Sequence, residues 1–131
     1  MKKEEAFNSE LFFKALADRT RLRLLNLMRD SEVCVCLFAE ALGTNNPKIS
    51  RHLSYLKRTS LVKGRREGKW MHYQINKPHN QKAAEVFAAT LEMLKGDPEM
   101  QSDREKLADL ACSRALVNIQ RNSKSNHSSN K

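Results

Sequence analysis

Three cysteines and one dense run of cations are the residues of this chain whose types and spacing could do chemistry. Cys34 and Cys36 flank Val35, and Cys112 stands far downstream. Thiolates are soft donors and nucleophiles, so a Cys-x-Cys pair can hold a soft ion, undergo oxidation, or pack as two small hydrophobes. Cys112 shares a helical stripe with Ala108, Leu116 and Ile119, so it can serve as a third thiol or fill a core or a dimer interface. A structural zinc site wants four ligands, and three cysteines without a well-placed histidine fall short. The cations are just as localised. Residues 46–72 carry eight Lys and Arg against the single Glu67, whereas residues 1–45 balance seven against seven. Most of the net charge of +9 therefore lies in one stretch, as expected of a surface that meets phosphates.

The elements that must carry these groups can be read from periodicity and caps. Leu11, Phe12, Ala15 and Leu16 have helical spacing within residues 9–17, and Asp18 suits the N-cap of a second helix over 19–29. In that helix Leu22, Leu25 and Asn26 or Arg29 form a stripe, broadened by Leu24, Leu27 and Met28, with Arg19, Arg21 and Arg23 off it. A third helix is expected from about Val35 to Leu42, ended by Gly43 in the left-handed region. Asn46 as N-cap and Pro47 at the first helical position open a fourth helix, 47–58, which buries Ile49, Leu53 and Leu56. Leu61–Arg66 and Lys69–Ile75 read as two strands joined at Glu67-Gly68. A helix over 80–95 carries Ala83, Phe87, Leu91 and Leu94 and closes at Gly96. A last helix starts at Ser102, with Glu105 completing a capping box, and runs to about Gln120.

Together these elements predict a mainly α fold with a small β-hairpin, a winged helix-turn-helix. Helix 35–42, the turn 43–45 and helix 47–58 form the reader, and the hairpin forms the wing. The expected division is an N-terminal arm over 1–8, the DNA-binding domain with the thiol pair over 9–96, a C-terminal helix over 97–121 that carries Cys112, and a disordered polar tail over 122–131. A recognition helix presents its early residues to base edges in the major groove. Lys48, Ser50 and Arg51 are best placed for that, with Ser54 and Tyr55 further along and His52 between the buried and exposed faces. Arg65, Arg66 and Lys69 crown the wing, where cations meet backbone phosphates of double-stranded DNA without choosing sequence. No apolar run reaches the length of a membrane span, and the charged start Met1–Glu5 is no signal peptide, so the cytosol is the expected compartment. Thiols stay reduced there, which argues against a disulfide framework. No Cys-x-x-Cys, Ser/His/Asp set or Gly-rich phosphate loop supports an enzyme, and no organic cofactor is expected.

Four motifs carry a family resemblance. Phe13-Lys14-Ala15-Leu16-Ala17-Asp18 with Thr20-Arg21-Leu22, then Cys34-Val35-Cys36, then Pro47-Lys48-Ile49-Ser50-Arg51-His52-Leu53, then Arg66-Glu67-Gly68-Lys69-Trp70-Met71-His72-Tyr73, in this order and spacing, resemble the ArsR/SmtB metal-responsive repressors over residues 8–95. The likeness is greatest to the arsenic and antimony sensors. It implies a homodimer packed through its first and last helices, and release from operator DNA when the inducer binds. The pattern departs in one place: such sensors carry a third cysteine three residues after the second, where this chain has Ala39. Cadmium and lead sensors draw further cysteines from the N-terminal arm, and residues 1–10 have none. The zinc sensors' set on the helix after the wing is missing too, with only His79, Glu85 and Glu92 in that region.

Trivalent arsenic and antimony take three thiolates in a pyramid, so Cys34, Cys36 and Cys112 match their donor count. On a regular helix Cys34 and Cys36 lie about 200° apart, so sharing one metalloid would require the start of the reader's first helix to unwind. Two alternatives keep DNA binding but change the signal: oxidation of the Cys34–Cys36 pair, sharpened by a basic surrounding, or a divalent soft metal such as cadmium or lead.

Overall fold

The structure, a computed structural model, describes the backbone of residues 6–129 and the side chains of residues 6–114. Asn8 and Asp18 cap the first two helices, α1 (Ser9–Leu16) and α2 (Arg19–Leu27), through their side-chain oxygens. A short strand β1 (Val33–Cys34) leads straight into α3 (Val35–Leu42), which Gly43 ends at φ 66°. Next come α4 (Asn46–Arg58), β2 (Val62–Glu67), β3 (Trp70–Ile75), α5 (Gln81–Leu94) and α6 (Pro98–Ser129). Phe12, Leu24, Leu25, Phe38, Ile49, Leu53, Leu56 and Phe87 meet in one core, so every helix of the reader stands on the same apolar base. Eighteen buried residues in that cluster include Leu27 and Met28, so α2 is wrapped on most sides.

Several boundaries differ from the expected ones for local reasons. Asn45, not Asn46, is the N-cap of α4: its side chain accepts from the Lys48 N–H at 2.9 Å, placing Asn46 and Pro47 in the first turn. The hairpin loop is Gly68-Lys69, with Glu67 still paired to Trp70 and the positive φ of 61° on Gly68. α6 starts at Pro98 rather than Ser102, because Asp97 accepts from the Glu99 and Met100 N–H groups and Pro98 suits a first helical position. Its backbone remains helical to Ser129, into the segment read from composition as disordered, and no glycine or proline follows Pro98 to break it. The α4 end uses Ser60 at φ 64°, a left-handed position that usually falls to glycine.

The largest difference is β1. Val33 pairs with Tyr73 and Cys34 with His72, so the wing is a three-stranded antiparallel sheet of order β1-β3-β2. The segment before α3 is thus anchored to the wing. α6 is anchored to α2 by polar contacts. Arg23 bonds Asp103 at 2.7 and 2.9 Å, Asn26 donates to the Met100 carbonyl at 2.9 Å, and Arg104 reaches the Asn26 carbonyl and Asp30. No helix among the described residues is long and apolar enough to cross a membrane.

Candidate nucleic-acid interface and thiol pair

α4 presents its polar face because Ile49, Leu53 and Leu56 point inward. Ser50, Arg51 and Ser54 are exposed and Lys48 is half-buried, all beside a first turn without a single acidic residue. A helix N-terminus carries partial positive charge, so Lys48 there opposes the dipole and costs stability. The same two positive features together attract phosphate. Among the described residues Lys48, Arg51, Arg66 and Lys69 make no ion pair, whereas Arg65 makes two.

His52 and Tyr55 are turned toward α2 instead. Arg21 lies 4.2 Å above the Tyr55 ring, and Arg58 lies 5.0 Å from it. The Arg21 guanidinium also bonds the Ala15 and Lys14 carbonyls at 2.9 and 2.7 Å, tying α1 to α4. His52 Nδ1 is 3.3 Å from Arg21 and 3.8 Å from Asp18. Burial pushes the His52 pKa down, Asp18 pulls it up, and the cations of Arg21, Arg51 and Lys48 push it down again, for a net lowering. Its imidazole is therefore neutral at pH 7.

On the wing, Arg66 and Lys69 are exposed at and beside the hairpin loop, with Lys69 Nζ 5.4 Å from the Trp70 ring. Arg65 is held differently. Its Nε and Nη2 donate to the two Glu32 oxygens at 3.0 and 2.7 Å, and its Nη1 donates to Glu67 at 2.9 Å. The Arg65 guanidinium in turn holds the Glu32 carboxyl below its ordinary range. Glu32 escaped the sequence reading. Its signal was present: if Val33-Cys34 is a strand, alternation puts Glu32 and Cys34 on one face.

The thiol pair is not where helix geometry placed it. Cys34 is the N-cap of α3 with extended backbone (φ −68°, ψ 134°), and only Cys36 lies inside the helix. The 200° separation therefore does not apply, and the two Sγ atoms already lie 3.0 Å apart. At a metal–sulfur length of about 2.3 Å, two thiolates at a right angle on one ion would be about 3.3 Å apart. The pair is thus close to the spacing a shared ion needs, and α3 need not unwind to bring it together. Both thiols are free and half-buried. Burial and the neighbouring Cys34 sulfur push the Cys36 thiol up to about 11, only partly offset by Arg114. The lowering of a thiol pKa expected from a basic surrounding is thus not found at Cys36.

Cys112 is exposed on α6, outside the core of its own chain. Leu116 and Ile119, expected on its stripe, have side chains outside the described residues. Two residues on, Arg114 lies 3.5 Å from Glu40 of α3, so this part of α6 passes the helix that carries Cys36. Among the described residues no group of three or more His, Cys, Asp or Glu side chains is gathered to hold a metal ion.

A helix standing on an apolar base, a cationic face without ion pairs among the described residues and a three-stranded wing make up a winged helix-turn-helix, the fold of DNA-binding regulators. A model of the bacterial regulatory proteins of the arsR family matches residues 18–63. An arsenical resistance operon repressor of Escherichia coli is 47% identical over 68 residues, covering 51% of this chain and 57% of that protein. The chain thus spans little more than half the length of that relative. An arsenic resistance transcriptional regulator of Pseudomonas putida is 38% identical over 81 residues, 61% of this chain and 70% of its own. The solution structure of a homodimeric winged helix-turn-helix domain from Mycobacterium bovis, described as a possible ArsR-family regulator, superposes with a TM-score of 0.54 at 34% identity, covering 66% of this chain and 77% of that one. The chain belongs to the arsR family.

Proposed function

We propose that this protein is a cytosolic repressor that binds operator DNA as a homodimer and is released when trivalent arsenic or antimony binds its thiols. One observation carries the choice of inducer: the 3.0 Å approach of Cys34 and Cys36 Sγ at the junction of the wing sheet and the reader. The names of the Escherichia coli and Pseudomonas putida relatives support the same inducer class. In the reaction, As(OH)3 and three thiols give a tris-thiolate and three waters, each thiol proton leaving with a hydroxide. Cys34 and Cys36 fit two of the three positions. We assign the third to Cys112, whose exposure on α6 leaves it accessible to a second subunit. Phe13 of α1, 53% exposed, supplies apolar surface for that association.

On the DNA side, Lys48, Ser50 and Arg51 meet the major groove, Ser54 lies deeper on α4, and Arg66 and Lys69 meet phosphates. His52 and Tyr55 support α4 from the α2 side. The test is a fluorescence-anisotropy titration onto the gene's own upstream DNA with arsenite, antimonite, cadmium and zinc, for the wild type and for Cys34→Ser, Cys36→Ser and Cys112→Ser. Release by the metalloids, lost in all three variants, is the expected outcome. Release that survives Cys112→Ser would reduce the site to two thiols, and no release by any metal or metalloid would sink the reading.

A further inference from the structure

Cys34, His72 and Arg65 form one row across the wing sheet. Cys34 pairs with His72 on one side of β3, and Arg65 pairs with His72 on the other. Ladder partners face the same side of a sheet. Val33 turns into the core at 4% exposure, so Cys34 and Glu32 turn to the opposite face, where Glu32 meets Arg65 and lies 4.0 Å from His72. The thiol pair and a wing arginine are thereby linked through a single carboxylate two residues before Cys34.

That carboxylate changes what Arg65 can do. All three of its guanidinium nitrogens already donate to carboxylates, which occupies three of its five N–H groups, the whole Nε–Nη2 edge among them, and leaves a phosphate only one N–H on each Nη. Glu32 and Glu67 also place two negative charges where the phosphate would arrive. Glu67 lies on the same strand as Arg65 and is mostly exposed, so it moves with the wing. Glu32 comes from a different element, and its reach is set by the two-residue strand that ends in Cys34.

We propose that Glu32 is a positioning residue that masks Arg65 from DNA, and that a metalloid bridging Cys34 and Cys36 holds the mask in place. The second half rests on the metalloid-released repressor reading above. In the DNA-bound form Arg65 exchanges Glu32 for a phosphate, which requires residues 32–34 to give way. An ion shared by both thiols ties Cys34 to the first turn of α3 and removes that freedom. The inducer then binds the masked form better than the unmasked one, and this differential affinity is what weakens DNA binding.

The experiment measures DNA affinity against salt concentration for the wild type, Glu32→Gln, Arg65→Gln and the double variant, with antimonite binding followed separately by thiolate absorbance. Both side chains lie at the surface, where ion pairs add little stability, so the variants keep their fold. Glu32→Gln is expected to tighten DNA about five- to tenfold and to steepen the salt dependence by about one phosphate contact. It should do neither in the Arg65→Gln background. It should also leave antimonite affinity unchanged while reducing the loss of DNA affinity that antimonite causes. Equal tightening with and without Arg65 would show a general charge effect and overturn the mask, as would no tightening at all. If antimonite does not weaken wild-type DNA binding, the inducer reading falls with the second half of the proposal, and the affinity arm still decides the first.

Discussion

α2 and α4 carry similar cations and use them in opposite ways. Arg19, Arg21 and Arg23 of α2 are all consumed within the molecule: by Asp97 and Glu99, by the end of α1, and by Asp103. Lys48 and Arg51 of α4 have no carboxylate partner among the described residues, and the first turn of α4 holds no acidic residue. The difference lies in where the acids sit. Apart from Asp18, which caps α2 and lies 3.9 Å from Arg21, those that meet α2 come from the start of α6, about 80 residues away in sequence, and among the described residues none pairs with Lys48 or Arg51. A cation with a partner holds a fold together, and a cation without one remains available to a ligand. The wing contains both cases side by side, Arg65 paired and Arg66 without an ion pair among the described residues.

This contrast can be broken most forcefully at Asp103, whose side chain is 1% exposed against Arg23 at 19%. Asp103→Ala strands a largely desolvated guanidinium and should cost about 3 kcal/mol in urea unfolding. DNA affinity of the folded fraction should be unchanged, and a neutral stability result would mean that the α2–α6 seam is not a structural use of charge. Arg51→Ala is the mirror image. We expect a loss of about 1–3 kcal/mol in DNA binding with stability inside about 0.5 kcal/mol of the wild type. An Arg51 variant that unfolds readily but binds normally would reverse the assignment. Asn45→Ala sharpens the comparison because the cap serves both ends of it. Loss of the bond to the Lys48 N–H should cost about 1 kcal/mol of stability and weaken DNA binding as the turn bearing Lys48 frays. The smallest effect concerns His52. Its folded pKa is depressed, so the stability it contributes is present above the unfolded value near 6.5 and is lost as pH falls through the lower folded value. Acidification from pH 7 to 5.5 should therefore cost the wild type stability that His52→Gln does not lose. If DNA affinity instead rose on acidification through His52, that residue would belong to the phosphate-facing set.

Much of the architecture was legible in the residues. The stripe of Ile49, Leu53 and Leu56, the stop at Gly43 and the hairpin at Gly68 follow from local rules of periodicity and backbone conformation, and all three hold. The cap of α4 was one residue off because Asn45 and Asn46 are chemically equal, and the difference is which side chain reaches the Lys48 N–H. β1 was missed because two residues are too few to show alternation and become a strand only by pairing with Tyr73 and His72.

The sequence by itself determined the helices, the wing hairpin, the concentration of cations in residues 46–72 and the presence of a Cys-x-Cys pair, since each depends on neighbours a few residues away. The tertiary structure decided which of those groups are free to act. Arg65 is paired because Glu32, 33 residues earlier, reaches it across the sheet. Cys34 meets Cys36 because β3 holds Cys34 in extended backbone just before α3 begins. Charge pairing and thiol convergence depend on distances between elements, and one-dimensional spacing carries no measure of those distances.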